Sequence, residues 1–239
     1  LIGWPPGIGL VRLDAVDSTN AEARRRAEAG EAGPLWITAA RQSAGKGRRG
    51  RDWETGEDNL AATLLLRPDG APTATAQLSF AAALAVTDMA VEFAPHAVIT
   101  LKWPNDVLAE GKKLAGILLE AGHAWLAIGI GVNLASHPDG TEFPATSLGA
   151  LGVVPPSPQV ALVVLANRFA HWQATWQEQG FEPLRTAWLA RAQGLGGPIH
   201  ARLPHEERHG AFEGIDASGA LLLREPGGVR AITAGEVFF

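Results

Sequence analysis

Between Ala76 and Phe93 the chain reads AQLSFAAALAVTDMAVEF, apolar over most of the circumference of a helix. A helix without a polar face must be surrounded by other elements, so this chain needs a core that wraps it. Thr87, Asp88 and Glu92 interrupt the run, which makes it a buried helix and not a membrane span. With 239 residues the chain can build one substantial domain and a small appendage.

The segments around that helix alternate in type. VRLDAVDSTNAEARRRAEAG reads as strand, cap, helix and stop, with Ser18, Thr19 and Asn20 as capping types and Gly30 just past the end. PLWITAA and NLAATLLLRP are two further strands. VITLKW is a strand broken by Pro104, and PNDVLAEGKKLAGILLEA is a hairpin with its turn at Glu110, Gly111 and Lys112. AWLAIGIGVNL is a strand that ends in a glycine-bearing turn. A loop from Ser136 to Pro158 leads to two helices, Gln159–Gln179 and Pro183–Ala192. From Ile199 to Phe239 short apolar runs alternate with Gly and polar turns, a β module of about 40 residues that needs docking to be stable.

RQSAGKGRRGRDW carries Lys46, Arg48, Arg49 and Arg51 interleaved with Gly45, Gly47 and Gly50, in a chain of net charge −5. An acidic chain is a poor bulk binder of nucleic acid, so an anion met by this loop is small and local. The loop is no P-loop: Ala stands at position 40, and Gly47 follows Lys46 where Ser or Thr is required. Taken alone, a solvated surface loop fits it as well as an anion-binding one.

Other candidates sit at strand ends. LKWPND brings Lys102 and Asp106 to a Trp-Pro corner, and a turn capping the core explains it equally. In KKLAGILLE, Gly116 marks either a close approach to a ligand or a bulge. GIGVNL lacks the third glycine of a dinucleotide fingerprint. HEERH, His205 to His209, has zinc-protease spacing, but that spacing works only on a helix, and Pro204 and Gly210 bracket it in a β-like neighbourhood. The chain has no cysteine, which removes disulfides and thiolate metal sites. The first ten residues lack the pattern of a signal peptide.

The order DSTN, AGKGRRGRDW, LKWPND, KKLAGILLE, GIGVNL resembles the bacterial biotin protein ligases, and GIDASGALLL with AGEVFF resembles their C-terminal module. The resemblance implies an α+β fold. It comprises a mixed β-sheet flanked by helices, related to class II aminoacyl-tRNA synthetases (residues 1–193), and a small C-terminal SH3-like β-barrel (residues 194–239). It implies activation of biotin by Mg-ATP to biotinyl-5′-AMP, then transfer to a lysine of a biotin carboxyl carrier protein of a carboxylase.

The implied catalytic residues are Lys113, Arg48 and Asp106. The implied biotin contacts are Ser18, Thr19, Asn20, Gln42, Gly45, Lys46, Arg48, Trp53, Lys113 and Gly116. The implied adenylate contacts are Arg48, Arg51, Trp53, Asn105, Lys113 and Asn133, with Mg²⁺ at Asp106. Residues 44–52 are expected to be a lid, poorly ordered until an adenylate is bound. The resemblance also implies a cytoplasmic enzyme that binds neither DNA nor membrane, and leaves a homodimer open.

Two features depart from the family pattern. Lys46 stands where many members have Arg, which keeps the charge and loses the bidentate fork. ETGEDNL replaces the common Ser-Pro-x-Gly after the loop. A lipoate ligase-like enzyme, a nucleic-acid-binding module and a catalytically idle carrier-binding protein are the rival readings.

Overall fold

The computed structural model describes residues 3–68 and 75–239. Leu1, Ile2 and residues 69–74 belong to the expected first domain and lie outside the described residues. Seven strands form one sheet: β1 (Gly9–Val16), β2 (Leu35–Gln42), β3 (Leu60–Leu66), β4 (Ile99–Lys102), β5 (Asp106–Ala109), β6 (Lys112–Gly122) and β7 (Trp125–Val132). Their order is β1-β2-β3-β7-β6-β5-β4. Only β1 and β2 run parallel, so the sheet is mixed, as expected.

Alternation along the strands sends residues to two different faces. Trp36, Leu64, Ile128, Ile130 and Val132 face a large core with α2 (Leu78–Phe93), α3 (Pro158–Gln179) and α4 (Glu182–Leu189). Leu35, Ile37, Leu65 and Ala127 face the other way, onto Ala23 and Ala27 of α1 (Thr19–Glu28).

The three polar interruptions of α2 are all satisfied. Thr87 donates to the Ala83 carbonyl at 2.9 Å, Asp88 accepts from Trp172 Nε1 at 2.8 Å, and Glu92 pairs with Arg168 at 3.0 Å. They let an otherwise apolar helix pin itself to α3.

Local chemistry accounts for the turns. Glu110 and Gly111 both adopt positive φ, 51° and 72°, the two-residue geometry that matches strand twist. The second predicted helix stops at Leu189 instead of Ala192. The reason lies at the edge of the sheet, where Leu101 exchanges hydrogen bonds with the Arg191 carbonyl and the Gln193 amide, both at 2.8 Å. The glycines of GIGVNL lie inside β7 and not in a turn after it.

The C-terminal segment corrects the expected fold. β8 (Pro198–Arg202), β9 (Glu207–Ile215), β10 (Leu221–Glu225), β11 (Gly228–Ile232) and β12 (Glu236–Phe238) form a second sheet in the order β11-β10-β9-β8-β12. It is open, not an SH3-like barrel, because the end strands β11 and β12 do not pair. β12 has only three residues, and it is turned toward the larger sheet, where Phe238 meets Lys102. Docking supplies the core that a module this small lacks. Trp188 of α4 stands edge-on to Phe80 at 5.6 Å and to Phe212 of β9 at 6.4 Å. Trp103 Nε1 donates to the Gly219 carbonyl at 3.1 Å, and Arg185 to that of Ile215 at 2.8 Å.

Candidate active site

A cavity of about 450 Å³ opens on the α1 face of the large sheet. Period-2 alternation builds its floor. While Ile128, Ile130 and Val132 enter the core, Gly129 and Gly131 point the other way. A Cβ on Gly129 would lie 2.3 Å from Asn20 Oδ1, and one on Gly131 would lie 2.2 Å from the Trp53 ring. Only glycine lets Asn20 and Trp53 approach the sheet this closely.

The β5–β6 register skips one residue, so Leu114 has no partner in that ladder. This bulge shifts the side-chain parity, and Lys113 and Gly116 come to face the same side. A Cβ on Gly116 would meet Trp53 at 3.1 Å and Lys113 Nζ at 3.4 Å. Gly116 thus gives close approach, and the bulge lies two residues before it.

One end of the cavity is polar and neutral. Ser18 caps α1 in extended conformation, yet its hydroxyl makes no capping bond and lines the cavity. The Thr19 amide and hydroxyl both donate to Gln42 Oε1, at 2.7 and 3.1 Å. Gln42 Nε2 in turn donates to Thr55 at 3.0 Å, so both ends of the amide are held. Thr63 Oγ1 lies 2.8 Å from Thr19 Oγ1 and 2.7 Å from Asn20 Oδ1. Asn20 Nδ2 donates to Glu120 at 2.7 Å. The network is rigid and supplies both donors and acceptors.

The other end is charged. Lys113 Nζ lies 2.7 Å from Asp106 Oδ1, and Lys102 Nζ lies 3.6 Å from Asp106 Oδ2. Lys102 also sits over the rings of Phe143, at 4.0 Å, and Phe238, at 5.3 Å. Burial pushes the Lys102 ammonium below the ordinary lysine range, against the attraction of Asp106. Arg48 is lowered for the same leading reason, helped by the nearby Arg49 charge. Its Nη1 lies 3.4 Å from both Asn105 Oδ1 and the Gly235 carbonyl. Asn105 is fixed by donating to the Ile117 carbonyl at 2.7 Å.

The basic loop joins these ends. Gly45 forms its neck: a Cβ there would lie 2.3 Å from the Trp53 carbonyl oxygen, and the Trp53 amide donates to Gly45 at 2.9 Å. The backbones of Lys46 and Asp52 pair as an isolated antiparallel β-bridge, and Arg48–Gly50 form a short 3₁₀ turn. The loop makes defined contacts with the C-terminal module and with Glu142. Arg49 lies 3.4 Å from Glu236, Arg51 donates to Glu236 at 2.6 Å, and Arg51 lies 3.6 Å from Glu142.

Of the expected site residues, Ser18, Thr19, Asn20, Gln42, Lys46, Arg48, Arg51, Trp53, Asn105, Asp106, Lys113, Gly116 and Asn133 all line this one cavity. Gly45 supports it from behind. Asn133 is nearly spent: its amide donates to the carbonyls of Thr146 at 3.0 Å and Lys113 at 3.5 Å, pinning the loop before α3. Each oxygen of Asp106, the residue expected to hold Mg²⁺, faces an ammonium group. No cluster of three or more metal-ligating side chains occurs among the described residues. His205 and His209 share no helical face; His209 lies in β9 and stacks on His200 with ring centroids 4.6 Å apart.

Sequence reasoning did not include Thr55, Thr63, Phe143, Glu236 or Phe238 in the site, nor give Lys102 a role. Thr63 carried a readable signal, as a polar residue inside the apolar strand NLAATLLL. Phe143, Glu236 and Phe238 reach the cavity from segments with no local mark, and Thr55 acts behind it by holding Gln42.

A neutral polar end, an aromatic wall and a cationic end suit an organic acid held beside a nucleotide phosphate. That is the site of a carboxylate-activating enzyme. Residues 13–133 match the model of the biotin/lipoate A/B protein ligase family, and residues 194–239 match the biotin protein ligase C terminal domain. A biotin–[acetyl-CoA-carboxylase] ligase of Paracoccus denitrificans is 50% identical over 95% of this chain and 99% of that protein. Its counterpart in Mycobacterium tuberculosis is 34% identical over 97% of this chain and 90% of that one. The solved biotin protein ligase of Aquifex aeolicus, in complex with biotin and ATP, is similar with a TM-score of 0.84 at 27% identity, over 96% of this chain and 97% of that one. The chain belongs to the biotin/lipoate A/B protein ligase family, among its bacterial biotin protein ligases.

Proposed function

We propose that this biotin protein ligase joins biotin to ATP as biotinyl-5′-AMP and then passes biotin to one lysine of a biotin carboxyl carrier protein. The observation that carries the reading is the single cavity with Gln42, Thr19 and Ser18 at one end and Lys113 and Arg48 at the other. Residues 1–193 form the catalytic domain, and residues 194–239 form a module that closes the charged end through Glu236 and Phe238.

The ureido ring of biotin needs donors and acceptors together, and the Ser18, Thr19, Gln42 and Asn20 group offers both. Trp53, seated over Gly116 and Gly131, walls the bicyclic ring. In the first step the biotin carboxylate attacks the α-phosphate and pyrophosphate leaves. Two anions must meet, so the main barrier is repulsion, which fixed cations lower. Lys113 bridges the carboxylate and the α-phosphate; Arg48 and Arg51 hold the adenylate, with Lys46 nearby. Asn105 and Asn133 bound the nucleotide end.

Mg²⁺ accompanies the triphosphate as part of the substrate and neutralises pyrophosphate, in keeping with its habit of binding through phosphates and few carboxylates. In the second step the carrier's lysine amine attacks the acyl carbon and AMP leaves. Asp106 orients that amine and takes its proton. The loop excludes water from the mixed anhydride between the two steps.

No described helix is long and apolar enough to cross a membrane. A reaction that consumes ATP and modifies a carboxylase subunit belongs in the cytoplasm. The test is biotin-dependent pyrophosphate release from ATP without any carrier. One equivalent per chain, retained as bound adenylate, is expected. Release that ignores biotin, or that lipoate supports equally, overturns the assignment.

A further inference from the structure

Lys113 is asked to hold a substrate anion, yet its Nζ lies 2.7 Å from Asp106. The Asp106 side chain is only 11% exposed. A carboxylate that buried cannot simply be abandoned, because an unpaired buried charge costs several kcal/mol, about 3–5 by partner removal. The substrate anion therefore competes with Asp106 for one ammonium group.

Lys102 stands on the other side of the same carboxylate, and everything about it is fixed. It is directly opposite Asp106 in the β4–β5 register, its side chain is 6% exposed, and Phe143 and Phe238 flank its ammonium group. Lys113 is the freer partner, 27% exposed, its Nζ and Cε passing over the gap left by Gly116. Asp106, Lys113 and, from β12, Glu236 act on Lys102, and so does Glu142 from the loop before α3; Arg48 also acts on Asp106, from farther off than either lysine.

We propose that Lys102 is a positioning residue, the resident counter-charge that keeps Asp106 paired when Lys113 swings to the substrate. It rests on the biotin-activating reading and goes beyond it by giving Lys102 a task. β12 takes part because Phe238 keeps Lys102 in place.

The test is the biotin concentration that half-saturates the rate of the single-turnover pyrophosphate burst at saturating ATP, without carrier, for the full chain; this concentration is the KM of each variant. Lys102→Met keeps the stem and removes the charge. It is expected to raise the KM about tenfold or more. Adding Asp106→Asn removes the competitor for Lys113 and is expected to bring the KM back down. A merely structural Lys102 predicts no such recovery. An unchanged KM in Lys102→Met, or a double variant no better than the single one, overturns the proposal. If Lys102→Met does not fold, Asp106→Asn alone decides: a lower KM for biotin supports the proposal, and an unchanged or higher one overturns it. If the wild-type chain releases no pyrophosphate with biotin, the underlying reading itself has failed.

Discussion

Arg51 and Glu236 are 185 positions apart in the chain, and Arg51 Nη2 donates to Glu236 Oε2 at 2.6 Å. Arg49, at 3.4 Å, and Arg202, at 3.9 Å, converge on the same carboxylate. The C-terminal module thus reaches back to hold the cationic loop.

Glu236→Gln should loosen that loop. The Arg51 side chain is half exposed, so the contact is screened and modest. Limited proteolysis at residues 46–52 is expected to run roughly two- to fivefold faster in the ligand-free variant, and biotin with ATP is expected to restore protection. Equal cleavage of variant and wild type, or no protection by substrates, would refute a loop held first by Glu236 and then by ligand.

Gly131→Ala should act on biotin more than on ATP. Its new methyl group would fall 2.2 Å from the Trp53 ring, and neither the strand nor the indole can yield that distance cheaply. The KM for biotin is expected to rise at least about tenfold, the KM for ATP far less, in steady-state biotinylation assays at saturating carrier. Equal effects on both would remove Trp53 from the biotin wall.

The same residues mark what the sequence made legible. The order of strands, the hairpin turn at Glu110–Gly111 and the gathering of DSTN, the basic loop, LKWPND and KKLAGILLE could be read, because each depends on local pattern. The in-strand role of Gly129 and Gly131 was written in AIGIGV as alternation of isoleucine and glycine, yet Gly-x-Gly invites reading as a turn. Closure of the C-terminal sheet depends on whether β11 meets β12, a long-range pairing that short apolar runs do not encode. Glu236 carries no local sign that it faces a loop 185 positions earlier, and Phe238 none that it meets Lys102.

Trp188→Ala should destabilise both units together. Trp188 is 1% exposed and touches Phe80 of the large core and Phe212 of the module. A loss of about 3–5 kcal/mol is expected from the cavity alone. Calorimetry should show one transition at lower temperature. A module that melts separately, with the main transition unmoved, would show that this contact does not join them.

The most direct measurement concerns Lys113 and the two halves of the reaction. The chain is loaded with labelled biotin and ATP, cleared of free substrate, then mixed with an apo carrier domain. The wild type is expected to pass its bound label to one carrier lysine without further ATP. Lys113→Ala is expected to form adenylate about 10²- to 10³-fold more slowly, the loss typical of removing a preorganised group at a site of developing charge. Label transferred without prior ATP, or adenylate formed at the wild-type rate by Lys113→Ala, would contradict the account.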